Sequence, residues 1–316
     1  MSSTNDLLLV TSSPHVHSRD NVPDAMRDVL IALLPALACG LYFFRLPALL
    51  VIVSCMASAY GAEYLCLRLL NKPVPVREQS ALVTGLLLSF CLPPTLPLWM
   101  AALGSAFAIV IVKHLFGGLG YNIFNPALIG RAFLLASFPV AMTRWSSPID
   151  GVTTATPLGI MKEAAGEKLP EISQLIIGNV SGSIGETSAL ALLAGGLFLL
   201  CRRHIDWRIP GSFLGTVFLL TALIAALTGK GMYYPAFHLF AGGLFLGAFF
   251  MATDWVTSPV TKRGRLIFGA GCGAFVVLIR LKGGYPEGVA YSILLMNVVT
   301  PLIDRYTKAR VFGGAK

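Results

Sequence analysis

Charge is scarce in this chain: Asp, Glu, Lys and Arg make up 12% of its 316 residues, about half the share of a soluble domain. Acidic side chains are fewest, 15 against 24 Lys and Arg. With 55% hydrophobic residues and a mean hydropathy of +0.74, the composition excludes a solvated globular domain and points to an integral membrane protein. The chain also lacks a Cys-x-x-Cys pair. Cys39, Cys55, Cys66, Cys91, Cys201 and Cys272 stand singly in or beside apolar runs and read as buried structural thiols. That argues against an iron–sulfur cluster held by this chain alone, because four thiolates at cluster spacing are usually needed. Residues 1–20 lack the arrangement of a signal peptide, since their Ser, His, Asp and Arg precede the apolar run by too much. They read as part of a cytoplasmic tail.

What is present is a series of apolar runs bounded by Pro, Gly or charge. Five fall in the first half, at 30–44, 47–67, 81–92, 98–112 and 126–139, and five in the second, at 188–201, 211–227, 235–252, 266–281 and 288–302. The expected fold is an all-α polytopic membrane protein of about ten transmembrane helices. Runs 81–92 and 126–139 are short for a crossing and read as half-helices or tilted pieces packed inside protein. With the N-terminus inside, 16 of the 24 Lys and Arg fall on the cytoplasmic side, which favours both termini there. The net charge of +9 then reflects topology and attraction to anionic membrane lipid, and calls for no nucleic acid.

The halves resemble each other. The stretch 111–118, ending in Gly117-Gly118, is echoed by 278–284, ending in Gly283-Gly284, and 84–95 is echoed by 246–257. An odd number of crossings per half inserts the copies in opposite orientation, so the reading is two inverted five-helix repeats with broken helices. The expected division is a cytoplasmic tail over 1–26, a first repeat over 27–140, an external loop over 141–186, a second repeat over 187–305 and a cytoplasmic tail over 306–316. The loop is the only long polar connection, and loops of that length are usually functional or disordered. An amphipathic helix is expected in it around 163–168.

Several residues could carry chemistry. Asp150, Thr153, Thr154 and Thr156 lie in the polar tract Asp150-Gly151-Val152-Thr153-Thr154-Ala155-Thr156-Pro157, which is either a plain turn or a display of hydroxyls outside a membrane helix. Pro157 biases Thr156 toward an extended conformation. Ser183, Glu186 and Thr187 form an Ser-x-x-Glu box expected to cap the following apolar helix, with an anion site at that helix start as the functional alternative. Arg131 lies within an apolar run, where an arginine is by default functional. It either neutralises an anionic ligand or pairs with Glu63 or Asp304. Asn122, Asn125, Thr253 and Asp254 flank helix ends and either cap them or line an ion path or second cofactor site. His114 and His238 could relay protons or simply hydrogen-bond within the bundle.

Three stretches then carry a resemblance over nearly the whole chain: Gly120-Tyr121-Asn122-Ile123-Phe124-Asn125-Pro126 through Gly130-Arg131, Gly182-Ser183-Ile184-Gly185-Glu186-Thr187-Ser188, and Gly247-Ala248-Phe249-Phe250-Met251-Ala252-Thr253-Asp254. With the threonine tract they resemble the flavin-bearing membrane subunit family shared by the sodium-pumping NADH:quinone reductase, as its B subunit, and the Rnf (Rsx) electron transport complex, as its D subunit. The short stretch before the first helix, expected near residue 27, favours the Rnf branch. The resemblance implies FMN esterified through its phosphate to Thr156 and riboflavin held without a covalent link. It implies electron transfer between ferredoxin and NAD coupled to Na+ or H+ translocation, in a bacterial inner membrane with the FMN loop periplasmic. It also implies the A, B, C, E and G subunits of Rnf as partners and a flavin transferase for maturation. The family often has Gly where this chain has Thr154, and a β-branched residue there restricts the backbone. Broken-helix repeats also build solute channels and transporters, and that alternative expects flux without a chromophore.

Overall fold

The computed structural model describes residues 21–72, 78–148, 153–163 and 169–308. Apolar stretches interrupted by Pro and Gly produce helices, and the described residues contain no strand beyond one isolated bridge. The architecture is that of an all-α polytopic membrane protein. Helix α1, Val22–Leu69, has 48 residues. At about 1.5 Å per residue that is about 72 Å, over twice a hydrocarbon core of about 30 Å, so α1 cannot be one span. Arg45, at φ 52° and ψ −134°, folds it into halves at 22–44 and 46–69. Its start at Val22 lies a few residues earlier than the sequence suggests, with Pro23 in the first turn, where a missing N–H costs nothing.

The remaining helices of the first half are α2 (Ser80–Phe90), α3 (Leu98–Phe107, continued by a π-turn over Ala108–His114), α4 (Pro126–Ser137) and α5 (Pro139–Met142). A cap follows, with α6 (Pro157–Glu163) and α7 (Ile172–Ile177). Of the amphipathic helix expected around 163–168, Glu163 is helical, at the end of α6, and 164–168 lie outside the described residues. The second half comprises α8 (Ala189–Cys201), α9 (Arg208–Thr228), α10 (Tyr233–Phe240), α11 (Leu244–Leu246, continued by a π-turn over Gly247–Met251), α12 (Lys262–Lys282) and α13 (Val289–Tyr306).

The run 235–252, expected as one span, is a bent pair. Helix α10 and the α11 segment meet at 60° across Ala241, Gly242 and Gly243. Gly242 takes φ +75°, which an L side chain rarely adopts.

Two helix pairs pack alike in the two halves. The 46–69 half of α1 lies against α3, with Ser54 donating to Leu98 O (2.9 Å), Ser58 to Ala102 O (2.7 Å) and Ser105 back to Cys55 O (2.7 Å). Likewise α9 lies against α12 so closely that a Cβ on Gly269 would stand 2.6 Å from Ile209 O, and one on Gly273 2.8 Å from Phe213 O. Small residues and interhelical hydroxyl bonds are what membrane helix packing uses, because lipid supplies no hydrophobic drive for helix association. Between the halves, Gly195 of α8 admits Ala32 O of α1 at 2.0 Å from its Cβ position. One apolar cluster runs through both halves, and a small second one of Leu158, Leu175, Phe237 and Ala241 ties the cap to α10.

Three of the six thiols are buried as expected and three are not. Cys55, Cys91 and Cys272 are buried and Cys39 and Cys66 half-buried, but Cys201 is exposed at the end of α8. The loop after it carries Asp206. Burial acts to raise that carboxyl, but the Arg208 N–H and the Arg265 and Arg208 guanidinia outweigh it and hold it below the usual carboxylate range.

Candidate functional site

The threonine tract is held on both sides. Ser146 and Thr153 form an antiparallel bridge, and Thr154 N–H donates to Trp145 O (3.1 Å). From the other side the Ser181 hydroxyl donates to Ala155 O (2.6 Å). Extended, bridged backbone suits a β-branched residue such as Thr153. Thr153 and Thr154 are exposed and Thr156 half-buried. The Thr156 side chain turns back onto α6, where its Oγ1 accepts the Gly159 N–H (3.1 Å) while its backbone oxygen accepts from Ile160 (2.9 Å). That capping bond uses the oxygen as an acceptor, and among the described residues the hydroxyl hydrogen has no acceptor. Asp150 lies outside the described residues.

Helix α6 rests on the break between α10 and α11. Leu158 is buried, and its Cδ1 lies 2.9 Å from where a Gly242 Cβ would stand. The Lys162 ammonium donates to Gly283 O and to Tyr285 O (3.1 Å), which fastens the cap to the loop between α12 and α13. Beneath lies a buried charged cluster. Arg131 of α4 is paired with Glu287, not with Glu63 or Asp304 as the sequence suggests, at 12% and 17% side-chain exposure. Glu63 instead pairs with Lys113, which also donates to Ser80 Oγ (2.6 Å), and Asp304 accepts the Val260 N–H (3.1 Å). Arg280 of α12 donates to the backbone oxygens of His238, Ala241 and Glu287. Arg131 therefore has a resident carboxylate partner.

The Ser-x-x-Glu box is formed, but it heads a single 3-10 turn, Ile184–Glu186, rather than the apolar helix. Ser183 N–H donates to Glu186 Oε2 (3.4 Å), and the Thr187 hydroxyl donates to Ile184 O (3.2 Å). Helix α8 starts two residues later with its own cap, Ser188 Oγ accepting from Ala191 (3.2 Å). The sequence pattern names a helix start without saying how long the helix runs.

Asn122, Asn125, Thr253 and Asp254 come together. All four line one cavity of about 350 Å³, with Lys113 and Ser80 among its polar walls and Leu87, Phe249 and Phe250 among its apolar ones. Asn125 caps α4 by accepting from Ala127 (3.0 Å) and Leu128 (3.3 Å), and its amide donates to Met251 O (3.3 Å). Thr253 donates to Phe249 O (2.6 Å). Asp254 follows the π-turn. Burial pushes its carboxyl above the usual range, against the Val256 N–H, the Thr257 hydroxyl and the Asn122 amide, which act to lower it. Among the described residues no cluster of three or more His, Cys, Asp or Glu could hold a metal ion.

Glu287, Arg280, Ser181 and Lys162 escaped the sequence reading. The only signal was a lone acid in a Gly/Tyr/Pro loop between two apolar runs, Gly283-Gly284-Tyr285-Pro286-Glu287-Gly288.

The NQR2, RnfD, RnfE family matches residues 9–313. Over 320 residues, 98% of this chain and 97% of the other, the sequence is 50% identical to the D subunit of the proton-translocating ferredoxin:NAD(+) oxidoreductase complex of Clostridium ljungdahlii. It is 51% identical over 314 residues (98% and 96%) to the D subunit of the Na(+)-translocating ferredoxin:NAD(+) oxidoreductase complex of Acetobacterium woodii. Against the D subunit of the ion-translocating oxidoreductase complex of Escherichia fergusonii it is 41% identical over 347 residues (97% and 99%).

Proposed function

The chain belongs to the NQR2, RnfD, RnfE family, and we propose that it is the D subunit of an ion-translocating ferredoxin:NAD oxidoreductase complex, carrying FMN as a phosphoester on Thr156. Near-full-length identity to subunits of that name supports the complex. The observation that carries the flavin assignment is the Thr156 hydroxyl, half-buried, its oxygen an acceptor and its hydrogen without an acceptor among the described residues, on a segment fixed from both sides. Esterification replaces that hydrogen and leaves the oxygen's capping role intact. FMN would supply the capacity to pass between one- and two-electron states, while the protein sets its position and potential.

In this reading Ser181 and the Trp145–Ser146 segment hold the tract in place, Leu158 and Lys162 dock it on the break, and the cluster under it fixes the local charge. The cavity lined by Asn122, Thr253 and Asp254 has the size and the apolar walls with a few polar groups expected of a small-molecule site, and we assign it to non-covalent riboflavin. The partners are then the A, B, C, E and G subunits, with a flavin transferase for maturation and the cap on the periplasmic side.

Thr156→Ala tests both flavin sites. Protein made with the transferase present should fluoresce in a denaturing gel as wild type and not as the variant. The variant should still release riboflavin into organic solvent. Fluorescence that persists in the variant defeats the Thr156 assignment, and absence of riboflavin from both proteins defeats the cavity assignment.

A further inference from the structure

Away from the cap, α8 stops at Cys201, α9 begins at Arg208 and α12 begins at Lys262. Between these helix ends opens a cavity of about 780 Å³, with Arg203, Arg265, Trp207, Trp255, Ser258 and Val260 in its walls. Arg203 is exposed, and so are three of the apolar walls, Trp207 at 61%, Trp255 at 53% and Val260 at 77%. Tryptophans beside clustered basic residues at one end of a membrane bundle mark the boundary between lipid and water.

Arg203 is the one arginine here without a protein partner. It stands just past α8 at φ 60°, its N–H donating to Leu200 O (3.0 Å) and the next N–H, of His204, to Leu199 O (3.0 Å). Glycine fills such a left-handed closing position most easily. The side chain that this chain carries there instead has no hydrogen bond or ion pair among the described residues. Its neighbours are committed: Arg202 bonds Asp28 (2.8 Å), while Arg208 (3.0 Å) and Arg265 (2.8 Å) both hold Asp206. Asp206, the acid in the cavity wall, thus carries two guanidinia and does not oppose an incoming anion. Lys262 and Arg263, exposed in the first turn of α12, add to the positive field at the mouth.

The apolar walls distinguish a lipid from a free anion. The Trp255 indole N–H is spent on His204 O (2.7 Å), so its ring offers the cavity apolar surface. Leu266 and Ile267, exposed on the second turn of α12, continue that surface along the helix. Inorganic phosphate would meet Arg203 and gain nothing from these side chains. A phospholipid can set its phosphate on the guanidinium and lay its acyl chains along α12. Basic pockets between membrane helices on the cytoplasmic side bind anionic headgroups in this way, and the distribution of Lys and Arg assigns this end of the bundle to that side.

We propose that this cavity binds one anionic phospholipid, with the headgroup phosphate on Arg203 and the acyl chains against Trp207, Trp255 and the outer face of α12. His204, Ile205, Thr253 and Trp255 line both this cavity and the smaller one, so the lipid would back the wall that the two share. The site stands whether or not Thr156 carries flavin, because none of its residues belongs to the threonine tract.

Native mass spectrometry of the full-length protein in detergent, titrated with phosphatidylglycerol or phosphatidylcholine, tests it. The wild type should hold one phosphatidylglycerol in preference to phosphatidylcholine. Arg203→Gly should weaken phosphatidylglycerol about fivefold, the factor that one basic residue near a membrane surface contributes, and glycine suits the backbone there, so the variant should fold. Arg203→Lys keeps the charge and should bind as wild type. Arg68→Ala, which removes another exposed arginine, at the end of α1, should also bind as wild type. Equal retention of the two lipids, unchanged affinity in Arg203→Gly, or an equal loss in Arg68→Ala overturns the proposal. Displacement of the lipid by millimolar inorganic phosphate overturns it in favour of a free-anion site. Loss of the preference when the assembled complex replaces the single chain overturns it in favour of a surface covered by another subunit.

Discussion

Arg131→Met should destabilise the folded chain by about 3–5 kcal/mol, the usual cost of leaving one member of a buried ion pair without its partner. Glu287 would then lie at 17% side-chain exposure with only the Gly243 N–H (3.0 Å) among the described residues to meet it. The double variant Arg131→Met/Glu287→Gln should recover most of the loss. It removes both charges, and the glutamine oxygen can still accept from Gly243. A contrast comes from Arg27, paired with Asp24 at 56% and 47% exposure; solvent screens that pair, and Arg27→Ala should cost under about 1 kcal/mol. Thermal unfolding in detergent, followed by circular dichroism, reads all three. If Arg131→Met unfolds like wild type yet loses its flavin, the guanidinium serves the cofactor rather than the pair.

Gly178→Ala should be more damaging still, above about 4 kcal/mol, in the range reached only by specific structural faults. Gly178 ends α7 at φ +104°, and a Cβ there would lie 0.9 Å from Thr187 O and 2.0 Å from Thr187 C. Both atoms are backbone, held by the 3-10 turn on one side and the α8 cap on the other, so no rotamer change relieves the overlap. Gly118 separates clash from backbone strain. It has φ +109° but nothing within 4 Å of its Cβ position, so Gly118→Ala should cost only about 1–2 kcal/mol of strain. Yield and monodispersity on size exclusion should fall sharply for Gly178→Ala and little for Gly118→Ala. Equal behaviour of the two would mean that α7 does not press on Thr187.

The helices were legible because each apolar run had to bury or span on its own, and the Pro and Gly between runs mark their ends. The bend at Gly242-Gly243 was hidden, since an apolar run reads the same whether the helix continues or turns by 60°. Arg131 announced a buried partner but not which one. Glu287 lies 156 residues away, and only the packing of α4 against the loop before α13 chooses it over Glu63 and Asp304. The four residues Asn122, Asn125, Thr253 and Asp254 were marked by their positions at helix ends, but their meeting in one cavity depends on two π-turns, which no local pattern encodes. The Ser-x-x-Glu box was read correctly as a cap and wrongly as the start of α8, because the Thr187–Ser188 step that resets the backbone looks from sequence like ordinary helix.

The central claim is a flavin joined to one hydroxyl, and mass spectrometry of the proteolytic peptide spanning Thr156 tests it most directly. In protein purified with the flavin transferase present, that peptide should gain the mass of one FMN less one water, with fragment ions placing the addition on Thr156. An unmodified peptide, or an addition placed on Thr153 or Thr154, would contradict the account.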